Sequence, residues 1–212
     1  MAPLFILGTG GHARDIADIV DALGFRPVFV TRDAAVIAAW TRDDEIVDEG
    51  AALDKGAGEA FVIAVGDNRT RAAIAGRLRG TLRFPSLIHP DASFGRGSRA
   101  AVEAAAGTVV FAGARFTNNL ACGDFCTVNL AATVSHDVEL GDFANLSPGA
   151  SIAGNVRIGE GAWIGVRAAV NQGSDARKLQ IGAWTMVGSG AAVIRDCEAD
   201  SVYVGVPARK IR

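Results

Sequence analysis

The sequence contains three histidines, and one of them, His136, is followed directly by an acidic residue, Asp137. A neutral imidazole can take a proton from an amine or a hydroxyl group near neutral pH, so it can act as a general base. A neighbouring carboxylate can fix the tautomer of the imidazole and stabilise its protonated form. The pair therefore suggests base-assisted group transfer, although a histidine on an exposed turn would leave the same pattern.

A repeat of six residues surrounds this pair and indicates how it is positioned. Apolar residues recur on one register, which resumes after a longer gap. They are Val110, Phe116, Cys122, Val128, Val134, Leu140, Leu146, Ile152, Ile158, Ile164, Val170, Ile181, Val187 and Val193. A period of six predicts a solenoid of short strands, with three hexads in each triangular coil and the apolar residues pointing inward. Small residues one and four places later are expected to fill the corners.

The repeat predicts which residues share an outer edge of this prism. Three hexads make a coil of 18 residues, so His136 should lie between Asn118 below and Gly154 above, with Gln172 in the next coil. His136 follows the inward-pointing Val134 by two residues, so we expect it near a corner with its side chain outward. A backbone amide beside the base could hold a developing oxyanion. A base and such a donor are the minimum for acyl transfer.

The first part of the chain has a different pattern. Apolar runs at 4–7, 27–30 and 60–65 predict buried strands, and helical patterns follow the first and third runs. This alternation predicts an α/β domain with a short, Rossmann-like parallel sheet. We place that domain at residues 1–82, followed at 83–212 by the β-helix with its C-terminal tail.

Two loops of the α/β domain carry glycine. The first reads Gly8-Thr9-Gly10-Gly11-His12 and the second Gly66-Asp67-Asn68-Arg69. Such glycines let the backbone approach a phosphate at the start of a helix. The first loop lacks the third glycine of the dinucleotide fingerprint at its usual place, which favours a nucleotide-linked sugar over NAD, with a structural turn as the alternative. His12 either touches the sugar or caps the helix, and His89 is expected to be structural.

Two irregular segments interrupt the hexads. The alanine-rich stretch 99–106 breaks the register and is predicted to be a loop around an early coil. Val170 and Ile181 stand eleven residues apart instead of six, so about five residues of segment 171–180 are predicted to bulge out of the coil.

Composition limits the function further. The net charge of −2 gives no reason to expect a nucleic-acid or anionic-membrane partner. No apolar run approaches the ~18 residues of a membrane span, and the N-terminus lacks the basic segment of a signal peptide. Cys122, Cys126 and Cys197 are interpreted as packing residues of a reduced, cytoplasmic protein. Only His136 lies in the regular repeat, so a three-histidine zinc site is not expected and we predict no metal.

The hexad register, the first glycine loop and the segment 129–137, NLAATVSHD, together resemble the hexapeptide-repeat sugar acetyltransferases. The similarity is greatest to the sialic-acid O-acetyltransferase and bacterial nucleotide-amino-sugar N-acetyltransferase family, and it covers nearly the whole chain. It implies a left-handed parallel β-helix, a homotrimer and acetyl-CoA bound in the cleft between two β-helices. It also implies that His136 is the general base and Asp137 its partner.

The same resemblance implies where the two substrates bind. Acetyl-CoA is expected at Asn145, Gly154, Gly188, Ser189, Arg209 and Lys210. The nucleotide-linked amino sugar is expected at Gly8, Gly10, Gly11, His12, Asp33, Gly66, Asn68 and Asn129. Some relatives carry a second histidine nine residues after the first, where this chain has Asn145, so its role toward the thioester is in doubt.

The predicted reaction is transfer of an acetyl group to the 4-amino group of a nucleotide-linked deoxy-amino sugar, for surface polysaccharide synthesis. Two alternatives stay open at this point. One is O-acetylation of a sialic acid or related sugar, and the other is a non-catalytic protein that binds a nucleotide sugar. The intact pair of His136 and Asp137 argues against the second alternative.

Overall fold

The computed structural model describes residues 1–212, apart from the side chain of residue 57. The chain begins with a four-stranded parallel sheet in the order β3-β2-β1-β4. Its strands are β1 (Pro3–Leu7), β2 (Arg26–Thr31), β3 (Glu45–Asp48) and β4 (Ala60–Ile63), and its helices are α1 (Gly11–Ala22), α2 (Ala34–Ala38), α3 (Glu49–Leu53) and α4 (Asn68–Leu78). A 3-10 turn, Gly56–Gly58, precedes β4. Strands β1, β2 and β4 are apolar apart from Arg26 and Thr31 at the two ends of β2, because both faces of the sheet are covered.

The sequence predicted β1, β2, β4, α1 and α4, and these elements are confirmed. It did not predict β3, α2 or α3. β3 is an edge strand whose residues are only partly buried, and the two helices are a little over one turn long, so none of the three has a long apolar periodicity.

The rest of the chain is a parallel β-helix with three faces. The first face contains β5 (Leu87–Ile88), β7 (Val109–Val110), β10 (Thr127–Val128), β13 (Asn145–Leu146), β16 (Trp163–Ile164), β19 (Met186–Val187) and β21 (Val202–Val204), with β22 (Arg209–Lys210) antiparallel to β21. The second face contains β6 (Ser93–Phe94), β8 (Arg115–Phe116), β11 (Thr133–Val134), β14 (Ser151–Ile152), β17 (Ala169–Val170) and β20 (Ala192–Val193). The third contains β9 (Ala121–Cys122), β12 (Glu139–Leu140), β15 (Val156–Ile158) and β18 (Leu179–Ile181). The predicted division at 82/83 falls between α4 and β5 and stays a prediction.

The inward positions predicted from the hexads are confirmed. Each of them is the last residue of a strand, and strands one coil apart pair in register, as Val128 does with Leu146 and Val134 with Ile152. All are buried except Cys122, which is partly buried. Burial of a side chain of this size contributes about 1.5–3 kcal/mol relative to leaving it in water, so the stack is the main source of stability in this part of the chain.

The chain turns from face to face at a residue in the left-handed region, three places after every inward position except Val170 and Val193. These residues are Gly113, Asn119, Phe125, Ala131, Asp137, Phe143, Gly149, Asn155, Gly161, Arg167, Trp184 and Gly190. They form three columns, one at each edge. We call the column of Asn119, Asp137 and Asn155, between the second and third faces, the polar corner. The column of Phe125, Phe143 and Trp184, between the third and first faces, is the aromatic corner.

Glycine is required one place after several inward positions for a different reason. A Cβ atom at Gly123, Gly141, Gly159 or Gly165 would lie 2.5–2.6 Å from a backbone atom of the next coil. The coils therefore approach too closely for any side chain there, and the expectation that small residues fill these places is confirmed.

One irregular segment differs from its prediction. The stretch 99–106 was expected to be a loop, but most of it forms helix α5 (Ser98–Ala104), so that prediction is wrong. Alanine favours helix, and the fully buried Val102 packs into the core of the β-helix, which gives the helix an apolar anchor. The bulge after Val170 is confirmed, and a short bridge between Ser174 and Arg177 closes it.

Helix α4 joins the α/β part to the aromatic corner. Arg71 is 2% exposed, and its guanidinium donates to the backbone oxygens of Phe125 and Phe143 and to the Asn68 side chain. Burial lowers the pKa of Arg71 to about 10. Because its donors reach two successive coils, this one side chain fixes the α/β part against the β-helix.

We expect Ile152→Asp to unfold the β-helix, because it places an unpaired carboxylate inside the coil stack. The loss should be about 4 kcal/mol or more, measured as a drop in Tm or in the midpoint of urea unfolding. Ser151→Asp is the matched control, since Ser151 is exposed on the same strand. Equal melting of the two variants would contradict the inward assignment.

Candidate active site

His136 and Asp137 form a pair at the polar corner. Their side chains meet at 2.7 Å, between His136 Nδ1 and Asp137 Oδ2. Adjacent residues on a strand would point to opposite sides, but Asp137 has a φ of 59°, and this left-handed turn brings its carboxylate beside the imidazole. The hydrogen bond with His136, followed by that with Asn119, holds the pKa of the Asp137 carboxyl below its usual range. An ionised carboxylate can only accept, so Nδ1 carries the proton and Nε2 is the free base.

The imidazole lies against Gly154, one coil above. A Cβ atom at Gly154 would be 2.4 Å from both Nε2 and Cε1 of His136, so no other residue fits there without moving the ring. This juxtaposition confirms the column predicted from the 18-residue coil. No residue that the structure describes accepts a hydrogen bond from the Gly154 amide, so that donor is available to a ligand.

A cleft of about 480 Å³ opens beside the pair. It is lined by His136, Asp137, Gly154, Asn155, Gln172, Gly173, Ser174 and Asp175. The last four belong to the bulge after Val170, so the bulge forms one wall of the cleft. The sequence predicted the bulge but gave it no role.

Two further side chains contact Asp137 and were missed from the sequence. Asn119, one coil below, donates its amide to Asp137 Oδ1, and Lys178, at the end of the bulge, donates to the Asp137 carbonyl. The 18-residue offset points to Asn119 once the role of Asp137 is suspected. Nothing in the hexads points to Lys178, because it lies where the register is broken.

The first glycine loop leaves the start of helix α1 open. Gly8 has a φ of 137°, and a Cβ atom there would lie 2.8 Å from the carbonyl oxygen of Ala64, so this position requires glycine. No heavy atom lies within 4 Å of a Cβ placed on Gly10, which is the N-cap of α1 without a side-chain cap. The first turn of α1, which includes Gly11, contains no acidic residue. Its free amides therefore face a space suited to an anion.

His12, in the first turn of α1, packs against the β-helix. The centroid of its ring lies 5.7 Å from that of Phe111, the residue that follows β7 on the first face. Burial, reinforced by the charge of Arg71, lowers the pKa of His12 to about 4, so the imidazole is neutral at physiological pH. His89 accepts a hydrogen bond from the Asp91 amide in a turn, which confirms its structural role.

The remaining residues expected to bind the sugar differ in burial and in the hydrogen bonds that they make within the chain. Asp33 caps helix α2 by accepting from the Ala35 amide, and Asn129 accepts from the amide of Leu130. Asn68 lies between the two parts of the chain, and its role in binding the sugar stays a prediction. It is 5% exposed, its amide donates to the Gly161 carbonyl and its oxygen accepts from Arg71, so its polar atoms are engaged in docking the two parts of the chain. The Gly66 carbonyl also accepts from Arg71.

Among the residues expected to bind acetyl-CoA, Asn145 lies away from His136 in the same chain. It is 3% exposed on the first face and donates to Ser147 Oγ. Its role toward the thioester stays a prediction.

The other expected coenzyme contacts lie at the C-terminal end. Gly188 lies beneath Val204, Ser189 is exposed, and Arg209 and Lys210 form β22. Their roles stay predictions.

Two kinds of feature are absent among the residues that the structure describes. No three histidine, cysteine, aspartate or glutamate side chains are grouped so as to hold a metal ion. No helix has the length and apolar character needed to cross a membrane. The three cysteines are free thiols, two of them buried, as expected of packing residues.

Comparison with known proteins identifies relatives for both parts of the chain. Residues 3–78 match the family described as the PglD N-terminal domain. PerB from Caulobacter crescentus, solved with CoA and GDP-perosamine, is 31% identical, with 100% of this chain and 98% of that chain aligned at a TM-score of 0.85. The acetyltransferase domain of PglB from Neisseria gonorrhoeae, solved with acetyl coenzyme A, is 29% identical over 99% and 98% of the chains, at a TM-score of 0.86.

A third structure, WeeI from Acinetobacter baumannii, shares the fold at 22% identity over 100% of both chains, with a TM-score of 0.85. No curated protein sequence matches. The full-length similarity to PerB, together with the match of residues 3–78, shows that this chain belongs to the hexapeptide-repeat acetyltransferases with a PglD-type N-terminal domain.

Proposed function

We propose that this acetyltransferase transfers the acetyl group of acetyl-CoA to the 4-amino group of a nucleotide-linked deoxy-amino sugar. The observation that carries the proposal is the imidazole of His136, held through Nδ1 by Asp137 and lying against Gly154. An amino acceptor is supported by the perosamine N-acetyltransferase of Caulobacter crescentus, which is 30–31% identical to this chain. The same similarity favours N-acetylation over the O-acetylation that the sequence left open.

In the proposed mechanism His136 acts as the base. The sugar nitrogen attacks the thioester carbonyl, the new C–N bond forms, and Nε2 takes the proton that the nitrogen loses. Asp137 stabilises the resulting imidazolium. The Gly154 amide, which has no acceptor in the described chain, donates to the oxyanion. When the intermediate collapses, the C–S bond breaks and the imidazolium returns its proton to the thiolate of CoA.

We expect His136→Ala to lower kcat by about 10²–10⁴-fold, the usual contribution of general base catalysis, and to leave the KM for acetyl-CoA unchanged. The wild-type rate should fall on acidification as the imidazole protonates, because only the neutral form can accept a proton. The variant should lack that acidic limb. Steady-state kinetics from pH 6 to 9 measure both effects.

His89→Asn is the matched control for this experiment. Asparagine keeps an acceptor for the Asp91 amide, and His89 lies in the first coil, away from the cleft. The control should retain both the wild-type rate and its pH profile. Wild-type kcat for His136→Ala across this range would remove the histidine from the mechanism.

The nucleotide part of the sugar substrate is proposed to bind at the first glycine loop. We expect Gly10→Val to raise the KM for the nucleotide sugar and to leave that for acetyl-CoA unchanged, because the added side chain fills open space at the helix start. Gly80→Val is the control, since it also adds a side chain in open space but lies far from the loop in sequence. Equal losses of both affinities in Gly10→Val would make the loop structural. Assays with UDP-, GDP- and dTDP-linked amino sugars would identify the nucleotide.

A homotrimer is part of the proposal. The first glycine loop lies on the first face, where His12 contacts Phe111, whereas His136 lies between the second and third faces. These two sites of one chain are at different edges, so neighbouring chains could complete them. Leu130 and Val166 support a trimer, because these two apolar side chains are 48% and 45% exposed. Both lie in one column between the first and second faces.

We expect the wild-type protein to sediment as a trimer at micromolar concentration. The double variant Leu130→Glu/Val166→Glu should sediment as a smaller species without loss of secondary structure, because it places like charges on the apolar column. A wild-type monomer in sedimentation velocity would exclude the trimer.

A further inference from the structure

The polar corner differs in composition from the other two edges of the β-helix. Its left-handed residues, Asn119, Asp137 and Asn155, are all asparagine or aspartate. Left-handed turns favour these residue types, but the other edges, apart from Asp200, make the same turn with glycine, phenylalanine, alanine, arginine and tryptophan. The backbone therefore does not require an amide or a carboxylate at this edge. The contacts that these side chains make explain why they are present.

The contacts converge on Asp137 from three coils. Its Oδ2 meets His136 Nδ1 at 2.7 Å, and its Oδ1 accepts from the Asn119 amide in the coil below. Its backbone carbonyl accepts from Lys178, which lies two coils above, just before β18. Both carboxylate oxygens and the carbonyl are thus engaged, each by a different residue.

Lys178 is itself held at the end of the bulge. Its ammonium donates to Asn155 Oδ1 at 3.2 Å and lies 3.5 Å from Glu139 Oε1, and only 23% of its side chain is exposed. The Asn155 amide in turn donates to the carbonyl of Ser174 within the bulge. One hydrogen-bonded network therefore links the wall of the cleft to Asp137.

The pair of His136 and Asp137 needs such support because it is exposed. The two side chains are 60% and 41% accessible, and an exposed ion pair contributes little and does not hold a single geometry by itself. A base works only when its free nitrogen is kept within hydrogen-bonding distance of the reacting nitrogen.

We propose that Asn119, one coil below, and Lys178, two coils above, are positioning residues that clamp Asp137 and so aim His136 Nε2 at the acceptor. Neither residue touches the reacting atoms; each acts through Asp137. This inference rests on the proposed role of His136 as the base.

The test of Asn119 uses Asn119→Gly, because glycine keeps the left-handed backbone and removes only the side chain. We expect kcat to fall about 10-fold, which is in the range of one hydrogen bond to a charged group, with both KM values unchanged. In an Asp137→Ala background the same substitution should have no further effect, because its target is gone. Retained Tm excludes a folding defect.

The test of Lys178 compares Lys178→Met with Arg177→Met. Both remove one positive charge from the same bulge, but Arg177 pairs with Asp196 and does not contact Asp137. We expect a several-fold loss of kcat in Lys178→Met and wild-type kcat in Arg177→Met. Equal losses would mean that the general charge of the bulge is important, and would overturn the assignment of Lys178.

The failures of the two proposals are distinguishable. If His136→Ala keeps wild-type kcat, the base itself is wrong. If His136→Ala loses activity but Asn119→Gly keeps wild-type kcat, or loses kcat equally with and without Asp137, His136 remains the base and the clamp is overturned.

Discussion

The β-helix depends on one backbone constraint, the left-handed residue that ends each hexad's turn. A strand of two or three residues is too short to be stable alone, so it forms only when the chain returns to the same place one coil later. The left-handed turn makes this return possible, and the buried stack of inward side chains stabilises it. Because the turn accepts several residue types, each edge of the prism is free to carry a different chemistry.

The aromatic corner illustrates one use of that freedom. The rings of Phe125 and Phe143 stack at 5.6 Å, and the guanidinium of Arg69 lies 4.5 Å from the ring of Trp184. Beside this column, the buried Arg71 donates to carbonyls of two successive coils. A buried guanidinium is tolerated only when its donors are satisfied, so its position is strongly specified. The glycine loop, which is in the same α/β unit, is thereby held in a defined place against the first face.

The polar corner uses the same turn for catalysis. The turn at Asp137 brings two consecutive side chains together, and hydrogen bonds from His136 and Asn119 keep the pKa of the carboxyl below its usual range. The ionised Asp137 accepts from Nδ1 of the imidazole, and it therefore favours the tautomer whose Nε2 is unprotonated. The absence of a side chain at Gly154 leaves room for the ring, and no described residue accepts a hydrogen bond from the Gly154 amide beside it.

The sequence alone determined the hexad register, the inward residues and the place of His136 beside Gly154, because a fixed period converts spacing along the chain into position in the fold. It also identified the main elements of the α/β part, whose apolar runs and glycine loops are local features. Three results required the tertiary structure. Asn68 is buried with its amide on the carbonyl of Gly161, a remote residue that no local pattern records. The helix at Ser98–Ala104 forms because Val102 finds a place in the core. Lys178 reaches Asp137 from a segment outside the register, where spacing no longer predicts position.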